Sequence, residues 1–268
     1  MNKQPLVSVI MGIYNCADTL AESLDSLLAQ TYQNFEIIMC NDGSTDNTFE
    51  IAKQYKDKYP NRIVLIENEK NMGLNYTLNH CFKYAKGAYI ARMDGDDISL
   101  PLRFEKEVSF LDEHPEYAIV STPMILFDEN GDFRSGSVIN EPTKEQIVCE
   151  SVICHAPCMI RTEALKSIGG YSTKKTTIRV EDVDLWIRLY TNGFKCYNLS
   201  EPLYKMLDDR NAISRRKFKY RINSTITRLA GCKALNLNFI CYLKCFRPII
   251  IGLLPKSLYL LLHRNYKR

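Results

Sequence analysis

The chain has 268 residues, 46% hydrophobic and 25% charged, with a net charge of +4, which is the composition of a globular protein with a substantial core. It contains no Gly-x-Gly-x-x-Gly motif and no Walker loop, which excludes standard dinucleotide binders and P-loop NTPases. Its ten cysteines are scattered, and no signal-peptide pattern precedes the first strand-like run. We therefore expect reduced, mostly buried thiols and a cytoplasmic protein.

The first 97 residues alternate between apolar runs and amphipathic segments. The apolar runs predict buried strands at residues 6–13, 35–40, 63–67 and 89–93. Between them we expect a helix with leucines at helical spacing, a second helix ending near residue 59, and a third from about 73 to 86 that Gly87 terminates. This alternation predicts an α/β fold with a mostly parallel, Rossmann-like sheet flanked by helices.

The pattern changes after a predicted helix that begins near Pro101. Residues 118–127 and 133–139 flank Asn130-Gly131, a hairpin signal, and predict antiparallel strands. Residues 154–161 predict a further strand, and residues 162–168 a short helix closed by two glycines. Residues 180–190 begin with acidic side chains and continue as an amphipathic helix.

The charge is unevenly distributed along the chain. Residues 210–268 contain 14 Lys or Arg and no Asp or Glu, so the first 209 residues hold 21 basic and 31 acidic residues, a net of −10. This asymmetry indicates that the C-terminal region meets lipid headgroups, nucleic acid or a phosphorylated substrate. A solvated basic helix face is the alternative.

Within this region, residues 235–262 are apolar but interrupted by charged residues and prolines. A membrane-spanning helix needs about 20 largely uncharged residues, so this segment does not qualify. We expect a basic, amphipathic helical tail at an anionic membrane surface. A helix packed on the domain, or a dimer contact, would explain the same pattern.

Three carboxylates, Asp94, Asp96 and Asp97, follow the fourth predicted strand. Ligands of open α/β sheets bind beyond the carboxyl ends of the strands, where this cluster falls. Close carboxylates repel one another and need a compensating cation, and Mg²⁺ or Mn²⁺ prefers oxygen ligands and substrate phosphates. The sequence therefore predicts a metal-and-diphosphate site, with an acidic turn that caps the next helix as the alternative.

Four segments in this order resemble the family 2 glycosyltransferases, over roughly residues 5–205. They are the first strand and its exit at residues 7–15, Asn41-Asp-Gly-Ser-Thr-Asp46, the DXD-type segment Asp94-Gly-Asp-Asp97, and Val180-Glu-Asp-Val-Asp-Leu-Trp186. The resemblance implies a GT-A fold, an inverting enzyme of the single-domain bacterial type, and a nucleotide-sugar donor.

The resemblance also implies roles on the donor side. In this family the first-strand exit and the aspartate after the second strand hold the nucleoside, which maps to Tyr14 and Asp42. A carboxylate can accept a hydrogen bond from a uracil N–H; a turn residue is the alternative for Asp42. Asp94 corresponds to a family position that contacts both the ribose and the metal, and Asp96 to a metal ligand. Asp97 is the substitute for either of them, because three neighbouring acidic residues leave the alignment ambiguous.

On the acceptor side, the resemblance implies that Asp182 is the base that deprotonates the attacking hydroxyl. Favourable charge at a helix N-terminus would also explain Glu181 and Asp182. Glu181, His155 and Trp186 are acceptor-binding candidates, with a core histidine and a core tryptophan as the alternative for the last two. Processive members carry Gln-x-x-Arg-Trp after the base; since Trp186 is the only tryptophan, we expect transfer of a single sugar.

We therefore predict a metal-dependent glycosyltransferase at the inner face of the cell membrane, acting in bacterial surface-polysaccharide assembly. It would use Mn²⁺ or Mg²⁺, a UDP-sugar, and a glycan or polyprenyl-diphosphate-linked acceptor. Residues 1–209 would form the catalytic domain, with a nucleotide-binding half to residue 97 and an acceptor half at 98–209, and residues 210–268 the tail. The alternatives are a non-catalytic nucleotide-sugar or glycan binder, and a protein that binds nucleic acid through the tail, although we expect no nucleic-acid partner.

Overall fold

The computed structural model describes residues 4–208 and 217–253. The strands are β1 (Val7–Ile13), β2 (Phe35–Asn41), β3 (Ile63–Glu67), β4 (Tyr89–Arg92), β5 (Ile98–Ser99), β6 (Tyr117–Ser121), β7 (Met124–Asp128), β8 (Gly131–Ser135), β9 (Met159–Arg161), β10 (Lys195–Asn198) and β11 (Tyr204–Leu207). The helices are α1 (Leu20–Leu28), α2 (Thr48–Lys58), α3 (Leu74–Phe82), α4 (Arg103–Glu113), α5 (Lys144–Cys149), α6 (Thr162–Ser167), α7 (Glu181–Thr191), α8 (Phe218–Ala234), α9 (Phe239–Lys244) and α10 (Arg247–Leu253), with a 3-10 turn at Lys175–Thr177.

A seven-stranded sheet with the order β10-β6-β9-β4-β1-β2-β3 organises the fold. The pairs β4–β1, β1–β2 and β2–β3 are parallel, whereas β9 runs antiparallel between β4 and β6. The predicted mostly parallel sheet is therefore confirmed. Because β9 runs in the opposite direction, the residues that precede it lie at the same edge as the carboxyl ends of β4, β1 and β2.

Both faces of this sheet are buried, which is why its central strands are continuously apolar. Ile10, Ile38 and Ile90 point into one core, which α3, α5, α6 and α7 cover. The side chains adjacent in sequence point into the other core, under α1, α2 and α4. Cysteines of α8 and α9 belong to the first core, so these C-terminal helices pack on the α/β unit.

A second sheet, ordered β5-β11-β7-β8, lies beside the first. The predicted strand at residues 118–127 is in fact two strands, because the chain leaves the large sheet at Thr122-Pro123 and continues as β7 in the small one. The predicted hairpin is confirmed: β7 and β8 pair antiparallel, and Gly131 has a φ of 104° beside the turn. The predicted strand at residues 154–161 is shorter than expected, since only Met159–Arg161 pair.

Gly87 does not end a helix, contrary to our prediction. The helix α3 ends at Phe82, and Gly87 is absent from the residues with positive φ. The glycine is instead needed for close packing, because a Cβ at this position would lie 2.6 Å from both the Leu6 carbonyl oxygen and the Ser8 nitrogen. The Gly87 N–H donates to Ser8 Oγ at 2.8 Å, which fastens the entry of β4 to β1.

We expect Gly87→Ala to lower the free energy of unfolding by about 1–3 kcal/mol, because the added methyl group would collide with backbone atoms that cannot move aside. Gly136→Ala is the matched control, since its Cβ would meet no atom closer than 3.5 Å and should change stability by less than about 0.5 kcal/mol. Urea unfolding measures the free energy of unfolding of both variants. Equal values for Gly87→Ala and Gly136→Ala would contradict the packing explanation.

Within the described residues, we find no helix whose length and apolar character would let it cross a bilayer. The part of the predicted tail at residues 210–216 and 254–268 lies outside the described residues. Of the remainder, α8 packs closely on α7, since a Cβ on Gly231 would lie 2.6 Å from Ile187 Cδ1.

Candidate active site

A cleft of about 320 Å³ opens at the carboxyl ends of β1 and β4. Among the predicted residues, Tyr14, Asp94 and Asp96 line it, and the Tyr14 side chain is 47% exposed. They meet because β1 and β4 are neighbouring parallel strands, with Ile10 paired to Arg92. The remaining lining residues are Gly12, Asn15, Cys16, Asp18, Thr19, Gly95 and Leu207.

The loops that form this cleft are fixed to one another by hydrogen bonds. Asn15, which has a φ of 48°, donates its N–H to Ser44 Oγ at 3.1 Å, and its Oδ1 accepts from the Thr45 N–H at 2.8 Å. The Thr19 hydroxyl donates to the Gly95 carbonyl at 2.9 Å. The glycine is required, because a Cβ on it would lie 2.8 Å from Cys16 Sγ. The cleft is therefore formed before any ligand enters.

Asp94, Asp96 and Asp97 present carboxylate oxygens that all lie within 4.8 Å of one another. Across residues 4–208 and 217–253, no other group of three metal-ligating side chains comes this close. Asp96 is exposed and Asp94 partly buried, whereas Asp97 is only 2% exposed. Two cleft-facing carboxylates with a third behind them match the oxygen-donor set of a hard divalent cation.

The inner carboxylate is held by the small sheet. Asp97 Oδ1 accepts a hydrogen bond from the Leu207 N–H at 3.0 Å, where β11 ends. Burial, together with repulsion from Asp94 and Asp96, raises the pKa of the Asp97 carboxyl to about 8, although hydrogen bonds from Leu207 and Tyr204 oppose the shift. The concentration of negative charge in this loop is therefore costly for the protein without a cation.

Because its pKa is raised in the folded state, Asp97 holds a proton there that the unfolded chain releases near its ordinary pKa of 3.8. Stability without metal should therefore fall as the pH rises from about 4 to 8. Asp97→Asn removes this pH dependence of stability. The melting temperature of the variant minus that of wild type should therefore increase as the pH rises, by about 2–4 °C for each kcal/mol of repulsion that the substitution removes. Thermal unfolding in EDTA at pH 5 and pH 8 tests this; a difference that does not change with pH would contradict the buried charge.

Arg92, which the sequence analysis missed, lies directly behind Asp94. Its side chain is almost fully buried, and Nη2 contacts Asp94 Oδ1 at 2.6 Å. Burial is the largest single influence and lowers the pKa of the Arg92 guanidinium, but Asp94, acting together with Tyr171, Tyr204 and Cys158, raises that pKa above its ordinary value. The signal in the sequence was a charged residue in an otherwise apolar strand, since a buried charge needs a partner.

A cluster of three aromatic side chains, which do not line the cleft, lies close enough to Arg92 to interact with its charge. His155 Nε2 lies 3.0 Å from the Tyr171 hydroxyl, and its ring meets Trp186 edge to face at a centroid distance of 5.7 Å. Burial, reinforced by the charge of Arg92, lowers the pKa of His155 well below its ordinary value, so the imidazole is neutral. The buried indole Nε1 of Trp186 has no hydrogen-bond partner among the described residues.

Glu181 and Asp182 begin α7, and their charges act on different neighbours. Burial, followed by repulsion from Asp182, raises the pKa of Glu181, while Arg92 opposes the shift. On the side of α8, burial lowers the pKa of Arg228, and the Asp182 carboxylate opposes that shift. Glu181 is therefore electrostatically linked to Arg92, and Asp182 to Arg228 of α8.

Asp42 lies at the end of β2 and is 4% exposed. Its Oδ1 accepts hydrogen bonds from Asn68 Nδ2 and the Met72 N–H, both at 2.8 Å, and its Oδ2 accepts from the Gly73 N–H at 2.9 Å. These bonds fix the loop before α3 and use three of the four lone-pair sites of a carboxylate. One lone-pair site of the carboxylate remains available to the nucleoside, and the predicted contact of Asp42 with it stays a prediction.

The sequence of the chain is similar to those of known proteins. A sequence model described as Glycosyl transferase family 2 matches residues 8–169. The chain is 44% identical to the putative glycosyltransferase EpsE of Bacillus subtilis, over all of this chain and 95% of that protein. It is 32% identical to WfaP of Escherichia coli, a UDP-Glc:alpha-D-GlcNAc-diphosphoundecaprenol beta-1,3-glucosyltransferase, over 85% of this chain and 88% of that one.

Among solved structures, the fold resembles residues 1–349 of Staphylococcus aureus TarS in complex with UDP-GlcNAc. The TM-score is 0.68 with 21% sequence identity, over 90% of this chain and 72% of that one. At this level of identity the similarity shows the fold, which is the GT-A fold.

Proposed function

The chain belongs to glycosyl transferase family 2, and on that premise we propose that it transfers a single sugar from a UDP-sugar to a lipid-diphosphate-linked glycan, with inversion at the anomeric carbon. The observation that carries this proposal is the preformed cleft, where an exposed tyrosine faces two of three clustered carboxylates. WfaP, whose name records a UDP-sugar donor and a diphosphoundecaprenol acceptor, supports both substrate classes.

On the donor side, Tyr14 would contact the nucleoside, and Asp94 the ribose and the metal. Asp94 and Asp96 would hold Mg²⁺ or Mn²⁺, with Asp97 as the buried carboxylate behind them. The cluster fits such an ion, because its carboxylate oxygens all lie within 4.8 Å of one another, and burial, followed by repulsion from Asp94 and Asp96, raises the pKa of Asp97 to about 8. When bound, the ion would neutralise charge on the departing diphosphate.

On the acceptor side, we assign Asp182 as the base and Glu181, His155 and Trp186 to acceptor binding. The acceptor hydroxyl would give its proton to the Asp182 carboxylate as its oxygen bonds to the anomeric carbon. The bond from that carbon to the UDP oxygen would break in the same step. The neutral imidazole of His155 and the unpartnered N–H of Trp186 are suited to hydrogen-bonding sugar hydroxyls.

We also propose a peripheral position at the inner, cytoplasmic face of the membrane, because a polyprenyl-diphosphate acceptor is embedded there. The basic composition of residues 210–268 supports this. The domain boundary near residue 209 is part of the proposal, although α8 and α9 contribute side chains to the core of the α/β unit.

The donor assignment is tested by UDP release from a panel of UDP-sugars with Mn²⁺ or with EDTA. We expect slow hydrolysis of one donor that requires metal, and a loss of at least about 100-fold in Asp96→Ala, because ligand removal abolishes charge stabilisation of the leaving group. Asp57→Ala, which removes an exposed carboxylate on α2 outside the cleft, is the control and should retain wild-type activity. Absence of both UDP release and UDP binding by calorimetry would refute the donor assignment.

Asp182→Asn and Glu181→Gln separate the roles of the two acidic residues. We expect Asp182→Asn to lower kcat for sugar transfer by about 10²–10⁴-fold while donor affinity is retained, because loss of a base removes a contribution of that size. Glu181→Gln should chiefly raise the KM for the acceptor. If kcat fell in Glu181→Gln and not in Asp182→Asn, the base would be Glu181 and not Asp182.

A further inference from the structure

The two C-terminal helices α9 and α10 present large apolar side chains to the outside. The exposed fractions are 73% for Phe239, 62% for Ile240 and 56% for Leu243 on α9. Phe246, which directly precedes α10, and Ile250 and Leu253 on α10 are exposed as well, with Leu253 at 72%. We call these six residues the apolar C-terminal surface.

The opposite face of α9 packs on the core. Cys241 and Cys245 are buried, and Cys245 Sγ lies 3.4 Å from Cys232 Sγ of α8. A helix on a protein surface normally has a polar outer face, whereas α9 is apolar on both sides. Grouped, exposed apolar side chains of this size mark a contact with another molecule or with a membrane.

The charges around this surface indicate which partner covers it. Lys244 and Arg247 are exposed between its apolar side chains, and residues 210–268 contain no acidic residue. Apolar side chains alternating with basic ones fit the boundary of an anionic bilayer, where the former enter the acyl region and the latter meet lipid phosphates.

A second copy of the chain fits this surface less well. A two-fold dimer brings the same patch of both subunits together. Such a dimer would place a patch that carries Lys244 and Arg247, in a region without acidic residues, against a copy of itself, and like charges in a desolvated contact repel one another. An anionic partner is therefore favoured over self-association.

The surface is joined to the site through α8. Asn223 Nδ2 of α8 donates to the Lys175 and Ile178 carbonyls, at 3.3 and 3.1 Å, in the loop that leads to Glu181. Two residues earlier on α8, Arg221 Nη1 donates to the Pro248 carbonyl of α10 at 3.1 Å. One helix thus contacts both α10, which carries part of the apolar C-terminal surface, and the loop that precedes α7.

We infer that the apolar C-terminal surface docks on an anionic lipid bilayer, and that α8 then holds the start of α7 at a fixed distance from the headgroups. The inference deepens the proposed function and rests on it for the acceptor, since a diphosphate linked to a membrane lipid lies at that depth. The docking itself does not depend on which sugar is transferred.

The test is sedimentation of the full chain with vesicles of phosphatidylcholine, alone or mixed with phosphatidylglycerol. Wild type should bind the anionic vesicles selectively. The double variant Phe239→Ser/Leu243→Ser should weaken this binding at least about tenfold through lost apolar burial. Lys244→Glu/Arg247→Glu should weaken it at least about 25-fold, because each basic residue near such a surface contributes about fivefold.

Matched controls change similar side chains elsewhere. Phe133→Ser replaces a 50% exposed phenylalanine on β8, and Lys53→Glu reverses an exposed lysine on α2; both should bind vesicles like wild type. Binding that is unchanged in both double variants would overturn the inference. So would light scattering that shows a wild-type dimer which Phe239→Ser/Leu243→Ser dissociates, because a second copy would then cover the surface.

UDP release without vesicles, measured on the same preparations, separates the two claims. The double variants should keep wild-type release, since their substitutions lie outside the cleft. Vesicle binding without UDP release from any donor would refute the proposed function and leave the docking intact. UDP release without vesicle binding would refute the docking alone.

Discussion

Mutual repulsion of three carboxylates after β4 is the constraint on which the site depends. The chain holds Asp94, Asp96 and Asp97 within a few ångströms by surrounding them with donors from distant segments. Arg92 pairs with Asp94 from behind, and the N–H of Leu207 holds Asp97 from the end of β11. The Asp94 N–H itself donates to the hydroxyl of Tyr204 at 3.3 Å. The small sheet is therefore what keeps the acidic loop closed.

A second buried network supports the same loop. Arg103 and Glu107 form an ion pair on α4 from which water is fully excluded. The guanidinium of Arg103 donates to the Arg92 carbonyl at 3.0 Å and lies over the Tyr204 ring. Breaking a buried pair of this kind leaves a charge without compensation, which is far more costly than losing a surface ion pair. The helix α4 thus fixes the strand end from which the carboxylates project.

Strand direction explains how the residues that we propose for the donor and acceptor sides come to share one edge of the sheet. The antiparallel β9 enters beside β4 with Met159 opposite Ala91, so the segment before β9 lies next to the end of β4. His155 is therefore brought close enough to Arg92 for the guanidinium to lower its pKa. From the other side, α7 contributes Trp186 to the same cluster, and α8 packs behind α7.

The sequence by itself determined the alternation of strands and helices, the positions of the acidic motifs at strand ends, and the family, because apolar periodicity and short motifs are local properties. It could not predict Tyr171 or Tyr204 as parts of the site, nor the true role of Gly87, since each depends on a segment far away in the chain. Arg92 stood out as a charge in an apolar strand, but only the structure shows that it pairs with Asp94. The apolar surface of α9 was likewise decided by tertiary structure. A helix that is apolar all round reads as buried, and only packing shows that Cys241 and Cys245 face the core while Phe239 and Leu243 do not.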